Sequence, residues 1–241
     1  MSEKKSKKYL RPLLKLSGEM MGGRAGTGFE ASSIESFADE IALLARNGVV
    51  PGVVIGGGNF FRGGSSQLAP LRRFRADYIG MLATIMNAIC LSDFLLQKGV
   101  KNILYSSMPV GTVTKVYDIE DARQKMAEGY VCIFAGGTGS PYFSTDSAAA
   151  LRAAETVCDL LVKVTKVDGV YDKDPAKYSD AKKYETITYD EILDQKLGVM
   201  DLAAITICRD NQVPLKVISL AEKGMLLRVC QGDPVGTSVI P

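Results

Sequence analysis

The sequence predicts an α/β fold, a three-layer α/β/α sandwich around a mostly parallel central sheet. Short apolar runs alternate with longer stretches of helical periodicity, glycines cluster where three predicted strands end, and no Pro-, Gly- or Ser-rich linker divides the 241 residues. Hydrophobic residues make up 46% of the chain and charged residues 23%, which suits one large globular unit with a substantial core. Residues 1–8 are expected to form a lysine-rich, flexible N-terminus and 9–241 a single domain.

The first apolar run, Leu10 to Leu16, is a candidate strand. Ile34, Phe37, Ala38, Ile41, Leu44 and Ala45 then recur at helical spacing, and Asn47-Gly48 supplies a C-terminal stop. Val49 to Ile55 is the second strand. A long helix follows from about Phe74 to Lys98, since Tyr78, Met81, Leu82, Ile85, Met86 and Ile89 form one broad apolar stripe that Gly99 ends. Further strands are expected at Ile103 to Ser106, Tyr130 to Phe134, Leu160 to Val164 and Leu215 to Ile218. Helices are expected near Ala122 to Ala127, Ser147 to Val157 and Leu202 to Asp210.

Composition excludes several classes of function. Lys plus Arg number 29 against 27 Asp plus Glu, so no global basic field points to nucleic acid or a membrane surface. Five dispersed cysteines without a C-x-x-C pair, and no histidine, argue against a zinc site. Their apolar neighbours suggest reduced core cysteines in a cytoplasmic protein. Met1 to Lys8 lacks the apolar stretch of a secretory signal, and Asn87, Ser92 and Asp93 interrupt the most apolar helix, so no membrane span is expected.

The glycine clusters are Ser17-Gly18, Gly56-Gly57-Gly58 and Gly136-Gly137-Thr138-Gly139. At the carboxyl ends of parallel strands, such loops let backbone N–H groups approach phosphate oxygens; one alone is as well explained by a tight turn, but three favour a nucleotide site. No segment reads G-x-x-x-x-G-K-[ST], and no G-x-G-x-x-G follows the first strand, so P-loop and dinucleotide-binding patterns are absent. Lys15 and Lys163 each interrupt an otherwise apolar strand, where an ammonium needs an anionic partner. Either one alone could be an edge-strand lysine in water; their shared placement beside glycine loops points to a ligand. Asp146 stands at the start of an Ala-rich helix, where it can serve as a cap, a first-turn acid or an orienting group for lysines. Asp77, near the start of the long helix, could by itself be a solvated first-turn acid.

Three segments together resemble the amino-acid-kinase superfamily: Leu13 to Glu19, Val53 to Asn59 and Thr145 to Ala148. Within it, Asp77 to Thr84, Thr165 to Val170 and Val199 to Ala204 are similar to the bacterial uridylate kinases, and the likeness runs from about Tyr9 to the C-terminus. The resemblance implies an amino-acid-kinase-like catalytic domain that transfers the γ-phosphoryl group of ATP to UMP. It assigns ATP phosphates to Lys15, Ser17, Gly18, Gly58 and Arg62, and the adenosine side to Thr165, Tyr171 and Asp174. UMP falls to Gly57, Asp77 and the loop Thr138, Gly139, Ser140, Pro141, Tyr142, Phe143, Ser144 and Thr145. Lys15, Asp146, Lys163 and Asp201 form the catalytic set, although Asp201 could equally be a helix cap. Mg2+ is expected to enter with ATP, the subunits to form a homohexamer, and UTP to inhibit. The competing readings are a superfamily kinase acting on an amino acid or carbamate, and a non-catalytic nucleotide sensor. The Asp77 and Thr138 to Thr145 segments oppose the first, and Lys15, Asp146 and Lys163 oppose the second.

Overall fold

The computed structural model describes residues 9–61 and 71–241, so the lysine-rich start and Arg62 lie outside the described residues. Nine strands form one sheet: β1 (Pro12–Leu16), β2 (Gly52–Ile55), β3 (Asn102–Ser106), β4 (Lys115–Val116), β5 (Val131–Ala135), β6 (Leu160–Thr165), β7 (Thr186–Thr188), β8 (Leu215–Ser219) and β9 (Thr237–Ile240). Their order is β4-β3-β5-β2-β1-β6-β8-β9-β7, and every pairing is parallel except β8 with β9. All six expected strands are present: β1 and β2 are shorter by two and three residues, β5 is displaced by one, and β3, β6 and β8 are longer by one. β4, β7 and β9 were not expected, because segments of two to four residues are too short to display a period.

Helices cover both faces. α1 (Gly18–Met21), α2 (Ala31–Arg46), α3 (Arg73–Gln97), α4 (Ile119–Ala127), α5 (Thr145–Glu155), α6 (Tyr189–Asp194), α7 (Leu202–Asp210) and α8 (Met225–Gln231) follow in chain order, with a 3-10 turn at Gly23–Ala25. Helix α6 was not expected, yet Thr188 and Glu191 close a capping box at its start.

The period of two along the strands divides the core between the two faces. Leu14, Leu16, Val53 and Ile55 pack with residues of α2, α3 and α8 on one side. Leu13, Val54 and Leu161 pack with Ala149, Ala150 and Ala153 of α5 on the other. Alternation therefore places Lys15 on the face of Leu13 and Lys163 on the face of Leu161, both toward α5. The sequence of each strand has chosen where its single charge must point.

Helix α3 departs from the expected stripe. Met81 and Ile85 are buried, whereas Ile79, Leu82, Met86, Ile89 and Leu96 are exposed, so the apolar residues wrap two faces. By length and composition this helix could cross a bilayer, contrary to the sequence reading, but it packs along the sheet with its polar interruption used internally. Asn87 is fully buried and donates to the Gly56 carbonyl at 2.7 Å, while Asn87 and Asn59 exchange hydrogen bonds at 2.8 and 2.9 Å. A polar residue that looked like an interruption thus anchors a glycine loop, as burial of an amide demands.

Candidate active site

Strands β1, β2, β5 and β6 run parallel and end on one side of the sheet, so their following loops converge there. Gly18 fits because any side chain would drive a Cβ to 2.3 Å from the Gly56 carbonyl oxygen. Gly57 lies similarly close to α3, with the Gly80 carbonyl 2.6 Å from where a Cβ would sit. The turn after β5 is held by Thr84, whose hydroxyl accepts from the Gly136 N–H at 2.8 Å.

Lys15 and Lys163 are direct neighbours in the β1–β6 register. Both reach Asp146: Lys15 Nζ lies 2.9 Å from Oδ1 in a close but poorly directed ion pair, and Lys163 Nζ donates to Oδ2 at 2.6 Å. Lys163 also donates to the Val199 carbonyl at 2.6 Å. The three side chains are only 13 to 15% exposed, enough for a ligand to touch them and little enough for their charges to act strongly. Burial pushes the Asp146 carboxyl up, but the two ammonium groups together hold it below its ordinary value. Burial lowers Lys163, with Lys15 adding to the effect, and Asp146 restores only part of it.

The cap of α5 is Ser144, whose hydroxyl accepts from the backbone N–H groups of Asp146 and Ser147. Asp146 is thus released from capping and its carboxylate is left for the lysines. Asp201 does cap α7, accepting from Ala204 N at 3.0 Å, and it also receives hydrogen bonds from the hydroxyls of Ser144 and Ser147. It binds the starts of α5 and α7 together, one layer behind the lysines. Its placement favours orientation of the site over contact with a reacting atom.

Two cavities flank this centre. One, about 580 Å³, is lined by Lys163, Thr165, Tyr171, Asp174, Leu197 and Val199 among others, and contains the three residues expected beside adenosine. The other, about 260 Å³, is lined by Gly57, Gly58, Asp77, Phe143, Ser144 and Thr145 together with Thr84, Met81 and Gly137. Gly58, expected on the ATP side, therefore faces the smaller cavity. Lys15, Ser17 and Gly18 line neither cavity, and Lys15 joins the centre through Asp146. Asp77 is 14% exposed rather than solvated; it pairs with Arg73 at 3.0 Å and accepts from Tyr142 N at 2.8 Å.

Of the expected acceptor loop, Thr138, Gly139, Ser140, Pro141 and Tyr142 lie off the cavity lining. Thr138 and Ser140 bond to each other, and Tyr142 takes a left-handed φ of 74°, a strained geometry for a residue with a Cβ. Thr84, Asn87 and the Val199 carbonyl were not foreseen as part of the site. The first two were readable only as helix residues, and a backbone carbonyl leaves no trace in a sequence.

The chain matches the amino acid kinase family over residues 11–219. It is 47% identical over 240 residues to a uridylate kinase of Acinetobacter baumannii, covering 99% of each chain. It is 46% identical to that of Alcanivorax borkumensis, covering 99% of this chain and 94% of the relative. Among solved structures, it is similar to the UMP kinase of Bacillus anthracis, with a TM-score of 0.94, 35% identity and 97% of each chain covered. The UMP kinase of Ureaplasma parvum gives a TM-score of 0.90 at 31% identity, covering 97% of this chain and 99% of that one. With a lysine–carboxylate–lysine centre whose Lys163 lines one cavity and whose chain neighbours Ser144 and Thr145 line another, and with these full-length likenesses, the chain belongs to the amino acid kinase family, among its uridylate kinases.

Proposed function

We propose that this chain transfers the γ-phosphoryl group of ATP to UMP, giving ADP and UDP. The observation that carries the reading is the paired ammonium centre, Lys15 and Lys163 on Asp146, between a larger and a smaller cavity. ATP occupies the larger, with adenosine beside Thr165, Tyr171 and Asp174 and its phosphates toward Lys15, Ser17 and Gly18. UMP occupies the smaller, with Asp77 placed to accept from ribose hydroxyls and the glycine backbone near its phosphate.

Attacking and transferring groups are both anionic. Two unit charges about 4 Å apart repel by roughly 1 kcal/mol in water and about 4 kcal/mol at an effective dielectric near 20, and the two lysines offset this. The second ionisation of a phosphate monoester lies near pH 6, so the UMP oxygen is already deprotonated near neutrality and needs no general base. The absence of histidine is therefore no obstacle. Catalysis reduces to positioning and electrostatic stabilisation by groups already in place.

Mg2+ belongs with the nucleotide in this reading. Among the described residues no three Asp, Glu, Cys or His side chains converge as a cage, and Asp146 and Asp201 are engaged by lysines, serines and backbone. The described residues gather no such ligand set, and in this reading the metal is carried by phosphate oxygens and water. The exposed apolar row Ile79, Leu82, Met86 and Ile89 supports α3 as a subunit contact in a homohexamer. UTP, sharing uracil and ribose with UMP, is expected to inhibit at the acceptor cavity. We place the reaction in pyrimidine nucleotide biosynthesis in the cytoplasm, with which its free, mostly buried cysteines are compatible.

A coupled ADP-release assay across UMP, CMP and a panel of amino acids tests the reading. UMP should be preferred, with CMP much poorer, because a polar site rejects a base that leaves its buried groups unpaired. Equal turnover of UMP and CMP, or preference for an amino acid, would overturn it.

A further inference from the structure

The acceptor cavity is lined by Gly137, and Gly137 is held from below by a charged side chain that touches neither cavity. Arg152, six residues along α5 from Asp146, is 4% exposed. Its Nη2 donates to the Ser107 hydroxyl at 2.7 Å and lies 3.5 Å from the Gly137 carbonyl oxygen. Ser107 in turn donates to that same carbonyl at 3.0 Å. The other arm of the guanidinium pairs with Glu155, and its plane rests 3.8 Å from the centroid of the Tyr117 ring. Tyr117 completes the enclosure by donating to Glu155 at 2.7 Å.

Glu155 alone would satisfy the charge of Arg152, and an apolar residue would fill the volume without the cost of burying an ion. What an apolar residue or a lysine cannot do is hold Glu155 with one arm of a planar fork while the other reaches Ser107. The segment it reaches needs holding: Gly136, Gly137 and Gly139 have φ of 75°, 58° and 84°, in the region where glycine backbone is most free. Ser107 also lies directly under Gly139, whose notional Cβ would sit 3.1 Å from the serine Cβ. Thr84 fixes the N–H of Gly136 from α3, and the Ser107–Arg152 relay fixes the carbonyl of Gly137 from α5.

We propose that Arg152, acting through Ser107, is a positioning residue that fixes the Gly137 carbonyl and so shapes the acceptor side of the site for a nucleoside monophosphate. Arg152 touches no substrate in this scheme. The inference rests on the assignment of the smaller cavity to UMP, and its effect should fall on the acceptor and leave ATP alone.

The test is a double-mutant cycle of Ser107→Ala, Arg152→Met and the combination, with KM for UMP, KM for ATP, kcat and melting temperature measured for each. Ser107→Ala removes one small hydroxyl and keeps the variant folded if Arg152→Met does not fold. KM for UMP should rise about tenfold, the loss expected for one hydrogen bond to a charged group, while KM for ATP stays within about twofold. The combination should cost no more than the worse single variant, since both break one relay. Unchanged KM for UMP, or equal rises for both substrates, would overturn the proposal. Amide hydrogen exchange reads the loop whatever the acceptor is: residues 137–140 should exchange faster in Ser107→Ala, with residues 169–174 unchanged. If the parent protein turns over no UMP, the functional reading fails by itself, and unaltered exchange at 137–140 would independently overturn the relay.

Discussion

Replacing Asp146 by Asn removes one charge from a cluster of three and leaves the backbone path of α5 intact. Asn keeps the shape and can still accept one hydrogen bond, but the ammonium groups of Lys15 and Lys163, now 2.9 and 2.6 Å from the carboxylate oxygens, lose the anion between them. Removing one partner of a buried pair costs about 3–5 kcal/mol when the remaining charge stays in place. Here the groups retain some exposure and Lys163 can relieve the repulsion by releasing its proton. We therefore expect about 3 kcal/mol to appear in the barrier, a fall in kcat of roughly 10²-fold, with less effect on UMP affinity. The pH profile carries a second signature. Lys163 is held below its ordinary value of 10.5, so the parent enzyme should lose activity on the alkaline side before an ordinary lysine would titrate. Asp146 is the main group that raises Lys163 against burial, with Asp201 adding to it, so in Asp146→Asn this limb should move to lower pH. Stability has its own sign: the depressed carboxyl of Asp146 stabilises the fold above its unfolded value of about 3.8, and that contribution fades as pH falls through the folded value. Steady-state kinetics across pH, with thermal melting to confirm folding, make the assay. Asn caps helices about as well as Asp, and Ser144 already caps α5, so a purely structural role predicts near silence. A folded Asp146→Asn variant with parental kcat and an unmoved alkaline limb would remove Asp146 from the catalytic centre.

Two other perturbations follow from the same geometry. Lys15→Ala or Lys163→Ala should lower kcat by roughly 10²- to 10³-fold with smaller changes in KM, because the stabilisation grows as charge develops; single-turnover kinetics distinguish this from lost binding. Asn87→Ala should destabilise the protein by about 1–3 kcal/mol in urea unfolding, since it strands the Gly56 carbonyl and half of the Asn59 amide in the core.

Much of this was legible in the sequence because single residues broke a strong pattern. Lys15 and Lys163 stood out as charges in apolar strands, and alternation alone sends both toward α5. The glycine loops marked the strand ends correctly. What stayed hidden depended on distant partners. Asp146 stood open between a cap, a first-turn acid and an orienting group for the lysines until Ser144 was seen to cap the helix, and Asn87 looked like a flaw in an apolar helix until Asn59 and Gly56 met it. Arg152 belonged to no motif, and its purpose emerges only where Ser107 and Gly137, far away in the chain, are brought beneath the acceptor loop. The exposed half of α3 defeated the stripe argument for a related reason: periodicity finds apolar faces but does not say whether the sheet or a second subunit covers them.

In a direct transfer from ATP to UMP, no covalent intermediate forms on the chain. The measurement that tests this most directly uses ATP whose γ-phosphoryl group is chiral by isotopic labelling, with UMP as acceptor. The label should appear as the β-phosphoryl group of UDP with inverted configuration, as a single in-line displacement requires. Retention of configuration would show two displacements through the protein, and an absence of label in UDP would rule out transfer to UMP.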